Sequence, residues 1–127
     1  MNHNLVQQYL LAKPEAVLMQ PQGDESMVFK VKHKMFATLS VGKEQGDNQG
    51  EPHWWLNLKC DPDEAIELRE TYSAILPGYH MNKKLWNTVV LDGSVPEDEI
   101  KRMMDNSFKL VVDNMPERDQ ASILAKL

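Results

Sequence analysis

The chain has 127 residues, a length that points to a single domain over residues 1–127 with room for a real core. Apolar residues make up 42% and charged residues 26%, which argues against disorder. The 14 Lys and Arg face 19 Asp and Glu, and the net charge of −5 excludes a protein that coats nucleic acid by overall basicity.

One cysteine, Cys60, excludes an internal disulfide framework and a Cys-based zinc cluster. The opening run from Met1 to Leu11 lacks the basic, apolar and small-residue regions of a secretion signal. No stretch approaches the roughly 18–20 apolar residues of a membrane span. The expectation is a cytoplasmic protein, where a free thiol is ordinary.

Taken in chain order, Leu5, Val6, Tyr9 and Leu10 share one helical face, with Asn2 or Asn4 able to cap it and Pro14 to stop it. Glu15 to Gln20 is a short strand, and Pro21 to Ser26 a turn-rich connection. Met27 to Val41 reads as a β-hairpin split near Lys32-His33. That turn lacks a glycine, so its register stays open, although His tolerates a left-handed backbone. Gly42 to His53 is a flexible loop inside the domain. Trp54 to Cys60 is a strand with Trp54, Leu56, Leu58 and Cys60 on one face.

Asp61-Pro62-Asp63-Glu64 opens a second helix, with Asp61 as cap, Pro62 at the first position and Glu64 able to close a capping box. Ile75 to His80 and Leu85 to Leu91 form a second hairpin through Met81 to Lys84. A third helix follows Ser94 or Val95. Its acids Glu97, Asp98 and Glu99 lie in the first turn, and an apolar stripe runs from Ile100 to Met115. A short fourth helix through Ile123, Leu124 and Leu127 is weakly signalled. This order predicts an α+β two-layer sandwich: an antiparallel sheet of five to six strands with helices on one side, α-β(3–4)-α-β(2)-α.

Charge is segregated along this order. Ser26 to Lys43 holds Lys30, Lys32, Lys34 and Lys43 and no acid, and Gly78 to Leu91 holds Lys83 and Lys84 and no acid. These windows, the two hairpins, carry +6, and the other eight basic and 19 acidic residues carry −11. A local basic face can bind phosphates on an acidic protein. Tyr79, His80, Asn82, Trp86 and Asn87 interleave with the second cluster, and aromatics beside a basic groove recur in nucleic-acid binding. Taken singly, Phe29, Phe36 and Trp86 read as core, and each lysine cluster as a solvated turn. Their coincidence on two hairpins gives the patch its weight.

The segment Pro77-Gly78-Tyr79-His80-Met81-Asn82-Lys83-Lys84, continuing Trp86-Asn87-Thr88-Val89, resembles the signature of the YjbR/MmcQ family. Val28-Phe29-Lys30-Val31 with Lys34-Met35-Phe36-Ala37, Leu58-Lys59-Cys60-Asp61-Pro62 and Asp92-Gly93-Ser94-Val95-Pro96 match it too, and Ser107-Phe108 and Leu110-Val111-Val112 fit its last long helix. The resemblance implies an α+β domain related in shape to bacterial frataxins, and a DNA-binding protein with two hairpin "wings" as contact surface. Two positions depart from the pattern: Leu85, where many members have His, and His33, where Gly is common.

Catalytic signatures are missing: no phosphate-binding glycine loop, no GxSxG and no HExxH. Cys60, alternating with Leu56 and Leu58, reads as buried. His3, His33, His53 and His80 are too dispersed for a helical metal-ligand pair. The acids Asp61, Asp63, Glu64, Glu67, Asp98, Glu99 and Asp105 fit caps and solvated helix faces better than an iron-binding surface. Met103, Met104 and Met115 read as core filler.

The expected function is therefore a non-catalytic, monomeric, cytoplasmic binding module without cofactor, metal or membrane contact. Its expected ligand is DNA, held modestly and salt-sensitively by Lys30, Lys32, Lys34, Lys83 and Lys84, with Tyr79, His80, Asn82 and Trp86 positioning or stacking. The alternative is a protein-interaction or small-ligand module using the Tyr79–Lys84 surface. An iron-handling domain of the frataxin type is a third and weaker expectation.

Overall fold

The computed structural model describes residues 1–21, 23, 25–42, 53–79 and 81–126. Its elements run α1 (His3–Leu11), β1 (Ala16–Met19), β2 (Ser26–Val31), β3 (Lys34–Val41), β4 (Trp54–Lys59), α2 (Pro62–Thr71), β5 (Ile75–Pro77), β6 (Trp86–Val90), α3 (Glu97–Asp113) and α4 (Glu117–Leu124). All strand pairs are antiparallel, in the order β1-β2-β3-β4-β6-β5. The chain thus has the α+β fold expected, with the maximal strand number and the weakly signalled fourth helix in place. Most of the expected loop, residues 43–52, lies outside the described residues.

Helix starts follow local chemistry. Asn2 caps α1 by accepting from the Leu5 N–H at 2.9 Å. Asp61 caps α2 by accepting from Asp63 and Glu64, with Pro62 at the first helical position. Glu64 does not close a capping box; its carboxylate instead takes the Arg102 guanidinium. α3 starts at Glu97 with Pro96 at the N-cap position, just after the expected boundary at Ser94 or Val95, and Asp92 accepts from the Ser94 N–H and hydroxyl before it.

Register decides which side chains meet. Met27, Leu39, Leu56, Val89 and Ile75 form one inward row, and Phe29, Ala37, Leu58 and Asn87 the next. The helices cover this face: α1 on β1 and β3, α2 on β5 and β6, α3 on β3 and β4. The α3 stripe of Ile100, Met103, Met104, Phe108, Val111 and Val112 is buried there, with Phe108 edge-on to Phe36 at 5.2 Å. Each large side chain so buried contributes about 1.5–3 kcal/mol. Ser107 is tolerated inside this stripe because its hydroxyl donates to the Phe36 carbonyl and accepts from the Lys59 N–H.

Phe29 and Phe36 are core, as expected, but Trp86 is not. Strand alternation sends Asn87 and Val89 inward, which leaves Trp86, Thr88 and Val90 on the outward face. Asn87 is accommodated inside because its amide oxygen accepts from Arg69 Nε and its amide nitrogen donates to the Ala65 carbonyl.

Candidate nucleic-acid interface

The two hairpin connections lie at the same end of the sheet. Val31 pairs with Lys34 across the first turn, Ala37 with Leu58 on β4, and Lys59 with Trp86 at the start of β6. Residues 32–33 and 78–85 therefore leave the sheet together, with the end of β4 between them. The first turn has two residues, Lys32 at φ 51° and His33 at φ 68°, the left-handed pair that a two-residue hairpin of this twist requires. In the second, Asn82 organises the backbone: its carbonyl accepts from Leu85 and Trp86, and its side chain from the Lys84 N–H.

The expected phosphate ligands divide into two groups. Lys32 turns toward the helical layer, pairing with Glu15 at 3.0 Å and donating to Ser122 on α4. Glu15 is fixed at φ 62°, and hydrogen bonds from Lys126, Ser122 and Lys32 hold its carboxyl down to about 2. Lys83 donates to the Gly78 carbonyl at 3.0 Å, while Arg69 on α2 donates to the Lys83 carbonyl. Both ammonium groups thus hold the turns in shape. Lys30, Lys34 and Lys84 have no hydrogen-bond or ion-pair partner on their ammonium groups among the described residues. Lys59 joins them. It stands on the outward face opposite Trp86, where alternation from buried Leu58 places it. That alternation was the sequence signal for it.

Aromatic rings gather on the same face. Tyr79 is 47% exposed and perpendicular to Trp55, with centroids 5.0 Å apart. Its N–H is fixed by Thr88 Oγ1 at 2.9 Å. Thr88 in turn donates to Asn57, whose amide donates to Thr38, so a polar row crosses β3, β4 and β6 beneath the ring. Gly42 lies against the Trp55 indole: a Cβ there would fall 2.0 Å from Nε1. A Cβ on Gly78 would likewise fall 2.8 Å from the Trp86 Cβ. Asn82 is exposed at the turn. His80 lies outside the described residues. Trp55 was missed as a site residue, although the alternation that puts Trp54, Leu56 and Leu58 on one face puts Trp55 on the other. Trp54 turns in and stacks on His3 at 4.2 Å.

Other chemistries find little support. Burial, with Glu64 and Asp61 nearby, pushes the Cys60 thiol up to about 11, the opposite of an activated nucleophile. Among the described residues no group of three His, Cys, Asp or Glu is placed to hold a metal ion. Glu64 and Glu99 bind Arg102, Asp105 takes Tyr9 and Lys13, and Asp61 is spent as a cap. Among the described residues no helix is long and apolar enough to cross a membrane.

Comparison with known proteins places the chain among relatives. The YjbR family model matches residues 11–110. The chain is 34% identical over 121 residues to the uncharacterized protein YbdF of Escherichia coli O157:H7, covering 95% of this chain and 93% of that one. It is 32% identical over 120 residues to the uncharacterized protein YjbR of Escherichia coli strain K12, covering 94% of each. Among solved structures, the Deinococcus radiodurans protein DR2400 superposes with a TM-score of 0.80 at 30% identity, over 96% of this chain and 87% of that one. A Pseudomonas syringae protein superposes with a TM-score of 0.77 at 29% identity, over 87% and 98%. The family match over most of the chain, relatives matched over most of their own length and a shared fold together establish that this chain belongs to the YjbR family.

Proposed function

We propose that the protein is a non-catalytic cytoplasmic module that binds DNA, as a monomer, on the outward face and turn end of its sheet. One observation carries the reading: charge is sorted by layer. The six strands contain no Asp or Glu and carry Lys30, Lys34 and Lys59, whereas α2, α3 and α4 carry 11 acids against five basic residues. The acidic helices lie behind the sheet, so among the described residues the outward face, with Lys84 at its end, offers a polyanion lysines on strands that carry no carboxylate. Lys30, Lys34, Lys59 and Lys84 take phosphates in this reading, Asn82 shapes the second turn, and Lys32 and Lys83 hold the turns.

Binding dominated by phosphate contacts weakens steeply with salt. Titration of labelled DNA at several salt concentrations tests this. The joint Ala variant of Lys30, Lys34, Lys59 and Lys84 should lower the log–log salt slope by roughly three. Lys32→Ala should leave the slope unchanged. An unchanged slope in the joint variant, or no binding by the native chain at low salt, removes the reading.

A further inference from the structure

The outward face differs from a duplex-reading surface in what it offers. Duplex DNA is read by elements that protrude into a groove, and it hides the faces of its bases. Here one lysine of each protruding turn, Lys32 or Lys83, is committed to holding the turn. Lys32 at the first tip is paired with Glu15, and the second connection is tied to α2 through Arg69. Beside them lies a broad sheet surface on which Tyr79 is exposed and Trp55 and Trp86 are half-buried.

Those rings form a row. Trp86 stands opposite Lys59, Tyr79 is bonded over Thr88 opposite Asn57, and Trp55 stands opposite Val90. From Trp55 to the level of Trp86 is four residues, about 13 Å along the strands. Gly42 leaves room for the Trp55 indole, the Tyr79 ring packs edge-on against that indole at 5.0 Å, and Thr88 holds the Tyr79 backbone. Asn57 and Thr88, the polar groups beneath it, are 7% and 0% exposed and bonded to each other and to Thr38. They are not available to read base edges.

We infer that the Trp55–Tyr79–Trp86 row is a stacking platform for unpaired bases of single-stranded DNA, with Lys30, Lys59 and Lys84 taking the flanking phosphates. The inference rests on the DNA-binding reading and names its substrate class. Stacking on rings without base-edge hydrogen bonds tolerates any sequence, because every base has a π-face. Charge complementarity selects the occupant: β4, β5 and β6, which present the row, carry no carboxylate and one lysine, Lys59, and Lys30 on β2 and Lys84 at the second turn flank them.

The test uses the full chain with a mixed-sequence labelled oligonucleotide, single-stranded and as its duplex, at low salt. The single strand should bind more tightly and quench tryptophan fluorescence. Tyr79→Ala should weaken single-strand binding roughly tenfold without changing the salt slope, and Tyr79→Phe should retain it. Trp55→Phe keeps a ring on the sheet and should reduce quenching while binding persists. Duplex bound as well as single strand, or Tyr79→Ala without effect, overturns the platform and leaves the DNA-binding reading standing. No binding of either form overturns both.

Discussion

The two hairpins look alike in sequence, each acid-free and each with lysines at its turn, yet they are built on different principles. The first closes in two residues and is held by charge, Lys32 to Glu15 and Glu15 to Lys126 just past the end of α4. The second closes over residues 78–85 and is held to α2 by hydrogen bonds from Arg69 to Asn87 and to the Lys83 carbonyl. In each, one lysine folds back to make the turn and a neighbour, Lys34 or Lys84, is left at the surface. A lysine count on a turn therefore overstates its positive face. The lysine that shapes the turn has already spent its charge or its donors.

The largest expected effect of breaking this arrangement comes at the second hairpin. Arg69→Ala leaves the buried Asn87 oxygen without its donor, a loss of about 1.5–3 kcal/mol. Denaturant unfolding should show the loss, and amide exchange should quicken at residues 83–86, which Arg69 anchors. Unchanged exchange there would mean that the connection holds itself. Gly78→Ala acts on the same hairpin from the other side. Its Cβ would meet the Trp86 carbonyl at 2.9 Å, and backbone yields less readily than a side-chain tip. A cost of about 1–3 kcal/mol is expected, with a changed Trp86 emission. A stable variant with native emission would show that the close approach is not needed.

This contrast also explains what was legible in the sequence. Elements were readable because cap, proline and periodicity agreed, as at Asp61-Pro62 and along the α3 stripe. Trp86 was misplaced because a tryptophan in the strand expected over Leu85 to Leu91 suggests core, whereas alternation from Val89 puts it outside. The site was half legible. The lysine windows were visible, but the fates of Lys32 and Lys83 depend on Glu15, Ser122 and the Gly78 carbonyl, and the first two stand far from Lys32 in sequence. Lys59 and Trp55 escaped notice because their role comes from the register of β4 between two hairpins.

At the first hairpin the anchor is electrostatic, so its signature is pH. Glu15 titrates near 2 in the fold against an ordinary 4.5. A carboxyl lowered on folding stabilises fully above its unfolded value and loses that contribution as pH falls toward the folded one. Stability should therefore decline between about pH 4.5 and 2 in the native chain. Glu15→Gln should remove this part of the decline and be less stable at neutral pH. Parallel stability–pH curves for the two proteins would show that Glu15 does not anchor the turn.

The smallest effect tests the first turn by itself. Lys32 and His33 both sit at positive φ, where a side chain costs roughly 1–2 kcal/mol and glycine does not. Glycine also gains freedom in the unfolded chain, which offsets part of that relief. Lys32 cannot be exchanged without losing Glu15, but His33 is exposed and makes no hydrogen bond or ion pair among the described residues. His33→Gly should therefore raise stability by up to ~1 kcal/mol and leave the Val31–Lys34 register intact, read as a higher denaturant midpoint at unchanged slope. A lower midpoint would mean that the histidine contributes to the turn beyond its backbone angles. The contrast between a charge-held and a hydrogen-bond-held hairpin would then understate what the first turn does.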